Sequence, residues 1–217
     1  LQMVTQKGEN VNVVAIHGNF DNAQSGVKKM LEDRALGKAL AEKGYRFSSA
    51  NSINIGRLVP QAAYYVYAYA ELLRQGEIQE GEQINVVVPT GNFGNILAAY
   101  YAKQMGIPID KLICASNDNK VLYDFFRTGI YDRNRTFILT ISPSMDILIS
   151  SNLERLIYLA AGEDPRRTAE LMEELNKDGR YSITEEMREK LSDFRSGYAN
   201  ESQTAASIKK AYDRAGY

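Results

Sequence analysis

Residues 84–95 read Ile-Asn-Val-Val-Val-Pro-Thr-Gly-Asn-Phe-Gly-Asn, and the fold follows from them. Ile84 to Val88 form an uncharged, β-branched run closed by Pro89, the pattern of a strand buried on both faces. The turn TGNFGN follows. Residues 95–105 then carry a helical pattern that Gly106 and Pro108 terminate. Strand, glycine-asparagine turn and helix together make the repeating unit of a parallel α/β sheet.

The same alternation extends outward in both directions. Residues 111–115 (KLICA) and 136–141 (TFILTI) read as further strands. Upstream, residues 11–16 (VNVVAI) predict a buried strand, residues 22–41 a helix ended by Gly44, and residues 45–47 a weaker strand. Residues 56–74 predict an aromatic helix with Pro60 in its first turns, where a missing backbone donor costs least. The expectation is an α/β fold with a mainly parallel sheet, covered by helices on both faces. Beyond Ser142 the pattern turns helical, at residues 145–161, 165–176 and 201–214, with Ser182 and Glu185 spaced as a capping box. No strand is expected there.

Composition excludes several functions. Twenty-six Lys and Arg against 27 Asp and Glu give a net charge of −1, which argues against a sequence-independent grip on nucleic acid. The longest apolar run, residues 62–70, is less than half of the roughly 20 residues a membrane span needs. One cysteine, Cys114, precludes an internal disulfide framework and fits a reducing, cytoplasmic setting. One histidine and one cysteine leave no zinc site of the usual ligand types. Leu1 at the start, and Tyr217 directly after a helical pattern, read as cuts through a longer protein.

The 90–95 turn carries the chemistry. A strand, Gly-x-x-Gly and a helix present unpaired backbone N–H groups at the positive end of a helix dipole, an anion site. Residues 83–109 contain no Asp or Glu, so nothing there repels a phosphate. A bare structural turn accounts for the pattern equally well. The turn is neither a Walker A loop nor a Gly-x-Gly-x-x-Gly fingerprint. His17-Gly18-Asn19-Phe20-Asp21-Asn22 echoes it, but Asp21 stands where Gly94 stands, and a carboxylate there favours capping over phosphate. Asn51, Ser52, Asn54 and Arg57 form a second polar cluster suited to a carboxylate or phosphate, with an ordinary helix start as the alternative. His17 and Cys114 read as structural, Tyr64, Tyr65, Tyr67 and Tyr69 as packing or a domain interface, and Ser142 to Asp146 as a turn and helix start.

The strings NSINIGRLVPQ (51–61) and INVVVPTGNFGN (84–95) resemble the bacterial and fungal branch of threonine synthase. So do residues 1–30 and KLICASNDNKVLYDFFRTGIY (111–131), in the same order. The resemblance implies a fold-type II pyridoxal-phosphate enzyme with two α/β domains and the cofactor between them. Residues 1–47 would belong to the smaller domain and 48–217 to the larger, cofactor-phosphate-binding one. It implies conversion of O-phospho-L-homoserine and water to L-threonine and phosphate, a lyase of threonine biosynthesis. It places the cofactor phosphate on Gly91, Asn92, Phe93, Gly94 and Asn95, and offers Asn51, Asn54 and Arg57 as substrate contacts. The family's Schiff-base lysine lies in a Phe-Lys-Asp motif that none of the 12 lysines here reproduces, so the resemblance puts the covalent anchor outside this chain and implies that the chain alone is inactive. The alternatives are another fold-type II enzyme, a dehydratase or β-replacement enzyme, and a non-catalytic truncated paralogue that binds a small phosphate. The substrate is a small molecule, neither nucleic acid nor membrane is a partner, and the strand edges left by a cut predict self-association.

Overall fold

The sheet is built from β1 (Ile84–Pro89), β2 (Ile109–Ser116) and β5 (Phe194–Tyr198), all parallel, in the order β1-β2-β5. A computed structural model describes residues 8–18 and 20–216 of the chain. They divide into two units, Leu1–Phe47 and Ser48–Tyr217. The sheet and its helices belong to the second.

The first unit contains helices α1 (Phe20–Glu32) and α2 (Arg34–Glu42). The single helix expected over 22–41 is divided at Asp33, which leaves helical geometry and caps α2 by accepting a hydrogen bond from the Leu36 amide at 2.9 Å. Neither expected strand of this unit forms: residues 12–16 and 45–47 are irregular, and Val11 makes only an isolated bridge to Gly8. A strand exists only where a second strand completes its hydrogen bonds. Among the described residues of this unit none does so.

In the second unit, α3 (Ile55–Leu58), a 3-10 turn over Val59–Gln61 and α4 (Ala62–Gln75) replace the continuous helix expected over 56–74. Pro60 sits in the 3-10 turn, where its lack of an N–H tightens the winding. β1 leads through the 90–93 turn into α5 (Gly94–Gln104); β2 leads into α6 (Val121–Thr128). Val88, Leu112, Cys114 and Phe194 are buried under these helices, with Phe126 stacked on Phe194 and Phe93 tilted against it. The opposite face is not closed as expected. Val87 and Arg195 are exposed there, and Ile113, Ala115 and Gly197 are half-buried.

The second half is mainly helical, with α7 (Leu153–Ala160), α8 (Pro165–Asp178), α9 (Glu185–Lys190) and α10 (Glu201–Ala215). The helix expected over 145–161 starts eight residues late, after a 3-10 turn over Pro143–Met145. The strand expected over 136–141 is absent. Its amides are satisfied by side chains instead: Ile138 donates to Asn119 Oδ1, Thr140 to Asp146 Oδ2 and Ile141 to Glu201. Three strands lie where none was expected: the sheet strand β5, and β4 (Arg180–Ser182), which pairs antiparallel with β3 (Ile130–Asp132). The helix cap near Ser182 is Thr184, whose hydroxyl accepts from the Met187 amide, and the reciprocal capping box is Asn200 with Gln203.

Candidate functional site: a backbone amide cradle at the carboxyl end of the sheet

Parallel strands place their carboxyl ends on one edge, where open α/β sheets bind ligands. Here that edge carries the 90–95 turn after β1, the Asn117–Asn119 turn after β2, and the 140–152 segment packed against both. Thr90 is tied to the sheet by its amide, which donates to Ala115 O at 2.9 Å.

Two carbonyls of the turn face the protein. Gly91 O accepts from the Ser150 hydroxyl at 2.7 Å. Asn92 O accepts both from the Asn152 amide at 3.0 Å and from Asn152 Nδ2 at 2.9 Å. In a trans peptide the C=O and the next N–H point in opposite directions. Turning these two carbonyls inward therefore turns the Asn92 and Phe93 N–H groups outward. Among the described residues neither has a hydrogen-bond partner, and the same holds for the Asn95 and Ile96 amides in the first turn of α5. The Gly94 amide is satisfied by Asn92 Oδ1 at 3.0 Å. Phe93, at φ 66, makes the left-handed bend that turns the chain into the helix, with its ring buried to anchor the strain.

Both glycines are demanded by packing between loops. A Cβ on Gly91 would strike the carbonyl oxygen of Ser144, and one on Gly94 would strike the Ser52 side chain. Close approach of neighbouring chain, not of ligand alone, excludes larger residues here. Asn95 faces inward: its Oδ1 accepts from Tyr65 OH at 2.6 Å and its Nδ2 donates to Gln61 Oε1 at 3.2 Å. Burial raises the Tyr65 hydroxyl to about 12, so it remains a donor at neutral pH.

The second polar cluster adjoins the first. Asn51 Oδ1 accepts from Asn92 Nδ2 at 3.3 Å and from the Ile53 amide at 3.1 Å. Asn54 caps α3 through Gly56 N at 3.0 Å, while its Nδ2 donates to Ser49 O at 3.1 Å. Both ends of the Asn54 side chain are thus engaged by the fold. The Arg57 side chain is exposed and makes no polar contact among the described residues. Structure brings Asn51 to the turn, holds Asn54 as a cap and leaves Arg57 in solvent.

Arg155 and Ser116 lay outside the sequence reading, and Asp146 entered it only as part of a turn. Arg155 Nη1 donates to Asn152 Oδ1 at 2.6 Å and to Ser52 O at 2.8 Å, and Nη2 to Ile53 O at 2.7 Å. Asp146, buried without a cationic partner among the described residues, accepts from Asn117, Asn119 and the Thr140 hydroxyl and amide. It braces the segment whose Ser144 carbonyl abuts Gly91. The Ser116 hydroxyl, level with Thr90 at the end of β2, is buried with no partner among the described residues. These groups come from 24 to 63 positions downstream of Asn92, and nothing local in the sequence marks them.

Two of the remaining candidates, Cys114 and Lys103, are held by the fold. Cys114 is fully buried, and burial pushes its thiol up to about 12. Lys103 donates to Asp110 O and pairs with Asp193 at 2.8 Å. His17 is exposed. The Asp21 side chain lies outside the described residues. No cluster of potential metal ligands occurs among the described residues, and no described helix is long and apolar enough to cross a membrane. A surface concavity of 610 Å³ between β3–β4 and α8 is lined by Asp132, Glu174 and Asp178 with Arg180, three carboxylates to one cation, a balance that disfavours anions. Chemistry, not volume, singles out the turn.

No family model matches the chain. The human protein "Threonine synthase-like 1" is 46% identical over 219 residues, spanning 100% of this chain and 30% of its own length. Threonine synthase of Saccharomyces cerevisiae is 37% identical over 223 residues, 98% of this chain and 42% of its own. The crystal structure of pyridoxal-phosphate-bound threonine synthase from Brucella melitensis superposes with a TM-score of 0.81 at 40% identity, over 96% of this chain and 43% of that one. This chain is related to part of the threonine synthases. It spans less than half the length of these relatives, and its α/β fold with a parallel sheet is theirs.

Proposed function

We propose that the chain supplies the phosphate-holding part of a pyridoxal-phosphate-dependent lyase of the threonine synthase type, which converts O-phospho-L-homoserine and water to L-threonine and phosphate. The observation that carries this is the row of unpartnered amides at Asn92, Phe93, Asn95 and Ile96, at a helix start, in a stretch free of acidic residues. That donor set fits a phosphate ester: several neutral N–H donors at the positive end of a dipole, with no carboxylate in the turn.

In this reading the backbone of Gly91, Asn92, Phe93, Gly94 and Asn95 holds the cofactor phosphate. The bound cofactor supplies an electron sink for carbanion chemistry at the substrate amino acid. The chain's own residues bind and orient. Asn92 links its turn to Asn51, so a substrate anion at the 51–57 cluster and a phosphate at the 91–95 turn would lie on adjoining loops. Arg57, exposed and uncommitted, is the cation available to that anion. Among the described residues, Lys103, Lys111 and Lys190 are paired with carboxylates and Lys120 lies over the Tyr123 and Tyr198 rings, so none of these four is free to act as a covalent anchor. Alone, the chain binds but does not turn over.

One observation favours a second reading. The 46% relatives carry the name "Threonine synthase-like 1", while the proteins named threonine synthase stand at 27–40%. The same turn would then hold a small phosphate ester without that reaction. Calorimetric titration with pyridoxal phosphate and with pyridoxal, followed by borohydride reduction and intact mass, tests the proposal. Phosphate-dependent binding without covalent trapping supports it; equal affinity for both compounds, or trapping on one lysine of this chain, contradicts it.

A further inference from the structure

Arg155 donates only to neutral oxygens, two in the 51–54 loop and one on Asn152, the residue that holds the 91–95 turn. Its fork spans Ser52 O, Ile53 O and Asn152 Oδ1. Asn152, fully buried, has its amide and Nδ2 on Asn92 O. A chain of contacts therefore runs from the 51–54 loop through a guanidinium and a carboxamide to the peptide plane whose N–H is that of Phe93. With the Asn152 Oδ1 held by Arg155, the Nδ2 of Asn152 is directed at Asn92 O, since an amide presents its two ends on opposite sides. Ser150 does the same for the preceding peptide plane through Gly91 O.

Resting on the reading of the 91–95 turn as a phosphate cradle, we propose that Arg155 is a positioning residue: with Asn152 it fixes the Asn92 carbonyl inward, keeps the Phe93 amide aimed at the phosphate, and holds the 51–54 loop at a set distance. Three oxygens in a planar fork suit guanidinium and do not suit an ammonium group. The half-buried positive charge also lies behind the turn, with no carboxylate neutralising it among the described residues.

The test compares Arg155→Met, Arg155→Lys and the unchanged 217-residue chain, each titrated with pyridoxal phosphate, inorganic phosphate and pyridoxal. Circular dichroism on each variant establishes that it is folded. The expected result is a loss of at least about tenfold in affinity for both phosphate compounds in Arg155→Met, the size of a lost hydrogen bond to a charged group. Arg155→Lys loses nearly as much, and affinity for pyridoxal is unchanged in both. Should Arg155→Met unfold, Asn152→Asp provides the second variant. It keeps the shape, removes the Nδ2 donor and is expected to weaken phosphate binding selectively. Full rescue by lysine would reduce Arg155 to a point charge and overturn the proposal. An equal loss for pyridoxal would make its role merely structural and overturn it too. Absence of phosphate-dependent binding by the unchanged chain would overturn the cradle itself, a failure distinct from the other two.

Discussion

Residues 11–16 and 84–89 carry nearly the same side chains, VNVVAI and INVVVP, and each precedes a Gly-Asn-Phe turn and a helix. The molecule treats them in opposite ways. β1 pairs along its length with β2 and buries Val88, whereas residues 12–16 pair with nothing described and leave Val14 at 82% exposure. Apolar β-branched residues permit a strand; a neighbouring ladder and a helix to cover it decide whether one forms. The turns that follow differ in the same sense. Asn92 and its neighbours are wired to Asn51, Ser150 and Asn152, so their amides are fixed in one direction. An anion site needs that fixing as much as it needs glycine.

The largest expected effect lies in the paired region. Leu112→Ala, at a fully buried position of β2, should cost about 2–5 kcal/mol in urea denaturation; a cost below about 1 kcal/mol would mean the sheet is not the core. Next come the glycines of the turn. Gly91→Ala and Gly94→Ala, each of which drives a Cβ into neighbouring chain, should cost about 1–3 kcal/mol and abolish phosphate-dependent binding. An alanine variant that binds as before would show that the turn geometry is not needed.

High pH distinguishes the units less strongly. Burial raises the Cys114 thiol from 9.0 and the Tyr65 hydroxyl from 10.0, each to about 12. The folded state holds these protons more tightly than the unfolded state does, so their contribution is complete below about pH 9 and is lost as pH rises toward 12. Thermal melts from pH 8 to 12 should show a progressive fall in Tm, which Tyr65→Phe should lessen. The smallest effect belongs to the unpaired copy: Val14→Ala should change stability by no more than about 0.5 kcal/mol. Amide exchange sharpens the contrast, with protection at residues 86–88 and near-free exchange at residues 12–16. Protection at 12–16 would break it.

Local chemistry made β1, its turn, α5, β2, α8 and α10 legible, because each combines a clear apolar period with a glycine, proline or cap at its ends. β5 escaped notice because Arg195, Ser196 and Gly197 give it no alternation; it is a strand because β2 offers an edge and Phe194 fills the aromatic cluster. Residues 136–141 looked like a strand and are not, because Asn119, Asp146 and Glu201 take up their amides. The turn's glycines and asparagines were visible in the sequence, but the direction of its amides was not. That direction depends on Ser150, Asn152 and Arg155, whose relation to the turn exists only in three dimensions.

The central claim is that the 91–95 turn, and not its echo at 17–22, is the anion site. Amide-resolved NMR during titration with pyridoxal phosphate tests it most directly. The account predicts saturable shifts at Asn92, Phe93, Asn95 and Ile96, absent with pyridoxal, and no saturable shift at His17, Gly18 or Asn22. Shifts of equal size in both turns, or none at Asn92 and Phe93 while the ligand binds, would contradict it.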